Sequence, residues 1–234
     1  MTTTTCHTTD TERWLHTFRE HGFVYVPQLL TEREALHYRT AALQAMSPDT
    51  GRTNDAPAVG LRTTIDAWQH NDTLRALALH PRIGALAERL AGMPVRVASG
   101  EVVVKGAHQS RPTALHDDET CCGLPNSRIS LNAWVALVDV PVERGCLTFL
   151  AGSQRRGGPE RIDRPCVADS GRDDNDSYLY TEWPELRWTP RVTVPMHAGD
   201  VSFHHRRTAH SAGVNDTQHD RVSMVITFTD AAAA

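Results

Sequence analysis

Lysine is nearly missing from this chain of 234 residues. Of its 24 basic residues one is a lysine, Lys105, and the others are arginine. A surplus of positive charge is also missing. The formal net charge is -4, which excludes a general attraction to nucleic acid or to an anionic membrane surface. No apolar run is long enough to span a bilayer. The Thr-rich N-terminus lacks both the basic region and the apolar stretch of a signal peptide. The five cysteines (Cys6, Cys121, Cys122, Cys146, Cys166) form no CxxC motif, and their odd number argues against a disulfide framework. Free thiols in a reducing cytoplasm are expected. Hydrophobic residues at 40% and aromatics at 6% are ordinary for a globular domain. The length suits one sizeable core. These features predict a cytoplasmic protein, monomer or homodimer, with no nucleic-acid or membrane partner.

The first half reads as helices. Residues 1–9 are expected to be a disordered tail, with one domain over 10–234. A short helix from Asp10 turns Trp14, Leu15 and Phe18 inward and stops at His21-Gly22. Phe23–Val26 is a strand ended by Pro27. Thr31-x-x-Glu34 is a capping box, opening a helix with Leu36, Arg39, Leu43 and Met46 at helical spacing. Pro48, Gly51, Pro57 and Gly60 predict a loop over 47–66. Helices follow near 72–79 and from Pro81 to Gly92, the latter with Ile83, Leu86, Ala87 and Leu90 on one face.

After residue 93 the period becomes two. Val95–Lys105 reads as one long strand or two, with Gly100 as a bulge. Over 128–140, Ile129, Leu131, Ala133, Val135 and Leu137 oppose Ser130, Asn132, Trp134 and Ala136. Cys146–Leu150, Arg191–Val194, Val201–Phe203 and Arg221–Thr229 are further strands. In the last, Val222, Met224, Ile226 and Phe228 face one way, and Arg221, Ser223, Val225 and Thr227 the other. Residues 155–190, rich at first in Arg, Asp, Gly and Pro and then carrying Tyr178, Tyr180, Trp183 and Trp188, are expected to be an insert that closes over a substrate as a lid. Helices first and many short strands afterwards predict an α+β fold around an antiparallel sandwich or barrel.

His116-x-Asp118 is the stretch that carries chemistry. On an extended segment, residues i and i+2 point to one side, so an imidazole and a carboxylate can reach one metal ion. A further histidine would complete the two-imidazole, one-carboxylate face that holds non-haem Fe(II) and leaves positions open. The motif alone is equally compatible with a solvated turn. His70-Asn71-Asp72 has the same spacing but precedes a helix, where Asp72 would serve as its N-cap. His210 and Arg221 add weight, because no other histidine has an arginine eleven residues on. Arg221 opens a strand on its less apolar face, where a guanidinium can fork onto a carboxylate.

These residues resemble the phytanoyl-CoA dioxygenase family of Fe(II)/2-oxoglutarate oxygenases. The similarity extends over roughly 10–230, through Phe18-x-x-x-Gly22-Phe23-Val24, Leu131–Leu137, Gly145-Cys146-Leu147, Gly152-Ser153-Gln154, Gly199-Asp200-Val201, His204 and Asn215. It departs at Ala151, Gln154 and Ala212, where the family pattern has Pro, His and Ser; Ser211 is the nearest hydroxyl. The resemblance implies a double-stranded β-helix (jelly-roll, cupin-like) barrel with N-terminal helices packed on one side. It implies His116, Asp118 and His210 on Fe(II), and Arg221 on the cosubstrate 2-oxoglutarate, with Trp134, Lys105 and Ser211 as further cosubstrate contacts; Trp134 reads equally as a half-buried packing residue, and Lys105 as a surface lysine. Asn132, Glu119, His204 and Arg62 are candidate substrate contacts. The expected chemistry uses O2, releases succinate and CO2, and hydroxylates a small-molecule substrate of specialised metabolism. The retained carboxylate Asp118 favours hydroxylation over halogenation. Desaturation, epimerisation or ring formation, a cupin-type metal enzyme without 2-oxoglutarate, and a non-catalytic barrel are the alternatives. Of the other candidates, His205 is expected on the exterior, Asp117 is expected to be solvated or to orient a ligand, and the run Arg172–Asp176 reads as a solvated loop rather than a calcium site.

Overall fold

The computed structural model describes residues 5–46, 54–56, 60–108, 110–122, 127–158 and 177–232. The N-terminal part contains α1 (Thr5–His21), β1 (Phe23–Val26), α2 (Glu32–Ala45), β2 (Asn54–Ala56), β3 (Leu61–Ile65), α3 (Asp72–Ala78) and α4 (Pro81–Ala91). Then come β4 (Val95–Lys105), β5 (Thr113–His116), α5 (Asp118–Cys122), β6 (Ser130–Ala136) and β7 (Leu147–Leu150). The chain ends with α6 (Tyr178–Glu182), β8 (Arg191–Val194), β9 (Val201–His205), β10 (His210–Ala212) and β11 (Arg221–Asp230).

The strands form two antiparallel sheets. One has seven strands in the order β1-β9-β6-β11-β4-β3-β2, the other four in the order β5-β10-β7-β8. They face each other as a jelly roll, and residues of both line a shared interior cavity. The period-2 patterning of β4, β6 and β11 decides which face does what. Val102, Val104, Leu131, Ala133, Val135, Val222, Met224 and Ile226 belong to one buried apolar cluster. On that side α2 contacts β11, and α4 contacts β4 and β6. The opposite face carries Glu101, Asn132, Trp134, Arg221 and Thr227, and it lines the cavity. In these three strands the less apolar face is thus the inside of the barrel.

Several sequence expectations are corrected. Helix α1 begins at Thr5, not Asp10, since no Gly or Pro interrupts the backbone ladder before Gly22. Residues 5–9 of the predicted disordered tail are thus helical, and residues 1–4 lie outside the described residues. Helix α2 has the predicted capping box but turns Ala35, Tyr38, Ala41 and Ala42 inward, leaving Leu36 59% exposed. Small alanines let this helix lie close against the sheet. The loop expected over 47–66 holds strands β2 and β3, because Leu61–Ile65 finds a partner along β4. Asn71, not Asp72, caps α3 by accepting from the Leu74 N–H at 3.0 Å. Strand β4 is one strand, and its irregularity against β11 falls at Ala98, not at Gly100. Gly100 is there for a close approach, since a Cβ would lie 2.7 Å from Trp68 Cδ1.

Ile226 is fully buried between β11 and the helices. Ile226→Ala is expected to lower stability by about 2–5 kcal/mol through lost burial and a residual cavity. Leu36→Ala should change it by no more than about 0.5 kcal/mol. Urea unfolding of the two variants checks both values.

Candidate metal centre

Strands β5 and β10 pair antiparallel, with His116 directly opposite His210. That register brings two imidazoles, far apart in sequence, to a ring separation of 4.3 Å. Each is oriented through Nδ1: His116 faces the Ala114 carbonyl at 2.8 Å, and His210 faces the Thr208 carbonyl at 3.0 Å. A carbonyl can only accept, so Nδ1 carries the proton and the Nε2 lone pair is left to point inward. The chain turns after His116 into α5, whose first residue is Asp118. Asp118 is therefore brought round by a strand-to-helix turn, not by the strand alternation expected from the sequence. Its carboxylate lies 3.7 Å from His116 Nε2 and 3.8 Å from His210 Nε2. The ligand atoms of these three residues all lie within 4.8 Å of one another, close enough to hold one metal ion.

Electrostatics put this cluster in a metal-ready state. Burial pushes the His210 imidazole down to about 3, so it is neutral at ordinary pH. Burial alone would raise the Asp118 carboxyl. The neighbouring imidazoles of His210, His204 and His116 outweigh it and hold the group well below the usual carboxylate range. A neutral imidazole and an ionised carboxylate are the forms that bind metal. Asn132 fixes the carboxylate further, donating from Nδ2 to Asp118 Oδ2 at 2.7 Å. His204 Nε2 lies 3.3 Å from the same oxygen. Arg206 donates from Nη2 to the Asp118 backbone carbonyl at 2.9 Å.

The same cavity, of about 420 Å³, reaches Arg221. This guanidinium is 3% exposed. It donates from Nη1 to the Gly145 carbonyl at 2.8 Å and lies 5.4 Å above the Trp134 ring. Its Nε has no partner, and no carboxylate pairs with it among the described residues. Burial pushes its pKa down to about 10, so it stays charged. A buried cation without a counter-ion is costly, and it is a receptor for an anion. Gly145 makes the contact possible: at φ +76 its backbone packs on Gly213, whose carbonyl would sit 2.6 Å from any Cβ.

Other predicted residues divide. Ser211, Asn132, Trp134 and His204 line the cavity. Lys105 does not. It is 1% exposed, opposite Arg221 in the ladder, and donates from Nζ to the carbonyls of Arg111 at 3.0 Å and Gly213 at 2.8 Å. It ties two loops together instead of contacting the cavity. Arg62 pairs with Asp220 at 3.0 Å on the surface, since it sits on the outward side of β3. Glu119 does not line the cavity either; its N–H donates to the Arg206 carbonyl at 3.1 Å. Asp117, expected to be solvated or to orient a ligand, is fully buried. His205 is half-buried, not exterior, and its Nδ1 accepts from the Arg207 N–H at 3.1 Å.

The described parts of the 155–190 insert pack outside the barrel rather than over the cavity, joining Tyr178, Leu179, Tyr180, Trp183 and Leu186 to Leu115, Leu150 and Ala209. Residues 159–176, including the run Arg172–Asp176, lie outside the described residues. Sequence reasoning missed Glu101, Arg206 and Arg156. Alternation along β4 would have found Glu101, which shares the inward face with Lys105. Nothing in the spacing marks the two arginines.

A sequence profile of the phytanoyl-CoA dioxygenase family matches residues 18–223. Phytanoyl-CoA dioxygenase domain-containing protein 1 of Mus musculus is 29% identical over 167 residues, 70% of this chain. The chain spans only 55% of the length of that relative. Among solved structures, the non-heme alpha ketoglutarate dependent carbocyclase SnoK from nogalamycin biosynthesis superposes with a TM-score of 0.83 at 37% identity, over 94% of this chain and 84% of that one. The epimerase SnoN, solved with Fe3+, alpha ketoglutarate and nogalamycin RO, gives 0.81 at 39% identity, over 96% and 85%. With its profile match, its jelly roll and its inward-facing histidines and carboxylate, the chain belongs to the phytanoyl-CoA dioxygenase family.

Proposed function

We propose that residues 10–234 act as one Fe(II)- and 2-oxoglutarate-dependent oxygenase domain that hydroxylates a small-molecule substrate of specialised metabolism. One arrangement carries the proposal. His116, Asp118 and His210 converge in a cavity that also contains the unpaired cation Arg221. Two imidazoles and one carboxylate suit Fe(II) and leave coordination positions open. The fit of the group is supported by the donor set and by the orphaned Nε of Arg221. SnoK and SnoN, whose names include alpha ketoglutarate, support the same cosubstrate here.

With O2, iron and 2-oxoglutarate supply oxidative decarboxylation to succinate and CO2 and removal of hydrogen from an unactivated C–H bond. The chain's own residues do the rest. His116 and His210 would hold the metal through Nε2, and Asp118 through a carboxylate oxygen. Arg221 would take the distal carboxylate of 2-oxoglutarate by a charge-assisted fork, with Trp134 beneath the guanidinium and Ser211 lining the same cavity. Asn132 holds the Asp118 carboxylate in place through its amide N–H. Leu61, Ile65 and Val225 give the cavity apolar wall for the substrate, and Ser99, Glu101 and Thr227 give it polar groups that fix orientation.

A second outcome is favoured by one observation. SnoK is a carbocyclase and SnoN an epimerase, and they share 37% and 39% identity with this chain. Hydrogen abstraction can therefore lead to ring closure or inversion in place of hydroxyl transfer. Product mass separates these outcomes: hydroxylation adds one oxygen atom, ring closure removes two hydrogens, and inversion leaves the mass unchanged.

Anaerobic addition of Fe(II) and 2-oxoglutarate should produce a weak visible charge-transfer band, and His210→Ala should abolish it. A wild-type protein that binds Fe(II) but shows no band with 2-oxoglutarate would contradict the proposal. Arg221→Met separates affinity from stability. Loss of a charged fork worth about 1.5–3 kcal/mol should weaken 2-oxoglutarate binding by about 10- to 100-fold. Removal of an unpaired buried charge should raise the stability of the ligand-free protein, by about 1 kcal/mol. Calorimetric titration and thermal melting measure the two effects.

A further inference from the structure

We infer that the buried ion pair Asp117–Arg156, seated on Trp183, is a positioning device that sets the metal affinity of His116, Asp118 and His210. The inference rests on the metal site proposed above. Asp117 stands between two of the three candidate ligands but points away from them. Its carboxylate meets Arg156 Nη2 at 2.7 Å, with the two side chains 0% and 1% exposed. Oδ1 also accepts from the Thr120 N–H at 2.6 Å, which closes the first turn of α5. The Asp117 N–H donates to the Tyr178 hydroxyl at 3.2 Å. The turn that presents Asp118 is thus held at its backbone and its side chain by groups behind the barrel.

Arg156 is itself anchored on that outer side. It donates to the Ser153 carbonyl at 3.0 Å and to the Arg207 carbonyl, and its guanidinium lies 4.3 Å from the Trp183 ring centre. Both side chains are withdrawn from water, so each charge depends on the other. The same layer grips both histidine strands one residue before the ligand. Leu115 and Ala209 lie in the apolar cluster with Tyr178, Leu179 and Trp183. Ser177 Oγ donates to the Leu115 carbonyl at 2.7 Å, and the Ala209 N–H donates to Ser153 Oγ at 2.9 Å. Residues 153–156 and 177–183 therefore brace all three candidate ligands from behind. Arg156 is the charged centre of that brace. Neither charge touches the cavity, so the pair acts through ligand placement.

The test is Co(II) binding, followed by calorimetry and by the visible spectrum of the bound ion. Two variants are used. Asp117→Leu/Arg156→Met replaces the pair by apolar groups of similar size, and Asp117→Asn keeps the shape and an acceptor for Thr120 but removes the charge. Ile226→Ala serves as a control for destabilisation remote from the site. Co(II) affinity is expected to fall about 10- to 100-fold in the folded variants, with an altered spectrum, and to keep its wild-type value and spectrum in the control. Wild-type affinity and spectrum in either folded variant would overturn the inference. Loss of fold in both would assign the pair to general stability and overturn it equally. Failure of the wild-type protein to bind Co(II) would instead count against the metal site itself.

Discussion

The structure depends on the cross-strand pairing of His116 with His210. Direct opposition in an antiparallel ladder fixes two imidazoles to within a ring diameter without any third element. The short strands that carry them would not be stable alone. Strand β10 is also paired to β7, so that His210 sits beside Phe149, and the outer apolar layer covers Leu115 and Ala209. A one-residue slip of either strand in this register would turn its imidazole out of the cavity and separate the pair. Every other feature of the centre, including the turn that brings in Asp118, works within the frame set by that pair.

The seven-stranded sheet divides its labour by face. One side is apolar and welded to α2 and α4; the other is polar, inward and charged. Burying Arg221 and Lys105 opposite each other costs stability that a sheet designed only to fold would not give up. Loop carbonyls offset that cost for Lys105, whereas Gly145 offsets it only in part for Arg221. The difference marks Arg221 as the cation kept for a ligand. Strain and unmet polarity at such places are where folding and function compete.

Much of this was legible beforehand because strand alternation separates the two faces. Val222, Met224, Ile226 and Phe228 against Arg221, Val225 and Thr227 reads as core against cavity from the sequence alone. The capping box at Thr31 and the stop at Gly92 are likewise local chemistry. Where partners are distant, the sequence was silent or misleading. Nothing near Leu61 announces that β4 will pair with it, so β3 read as loop. Lys105 looked like a ligand-binding or surface cation because the carbonyls that satisfy it come from Arg111 and Gly213. The aromatics at the end of the insert have no local period; only the tertiary packing shows that Tyr178 and Trp183 back the histidine strands.

The most direct test of the metal centre is a crystal structure of the protein loaded anaerobically with Fe(II), with anomalous scattering recorded on both sides of the iron edge. One iron peak is expected in the cavity, bonded to His116 Nε2, His210 Nε2 and an oxygen of Asp118. A peak bonded to His204 in place of either histidine, or no peak within reach of Asp118, would contradict that assignment.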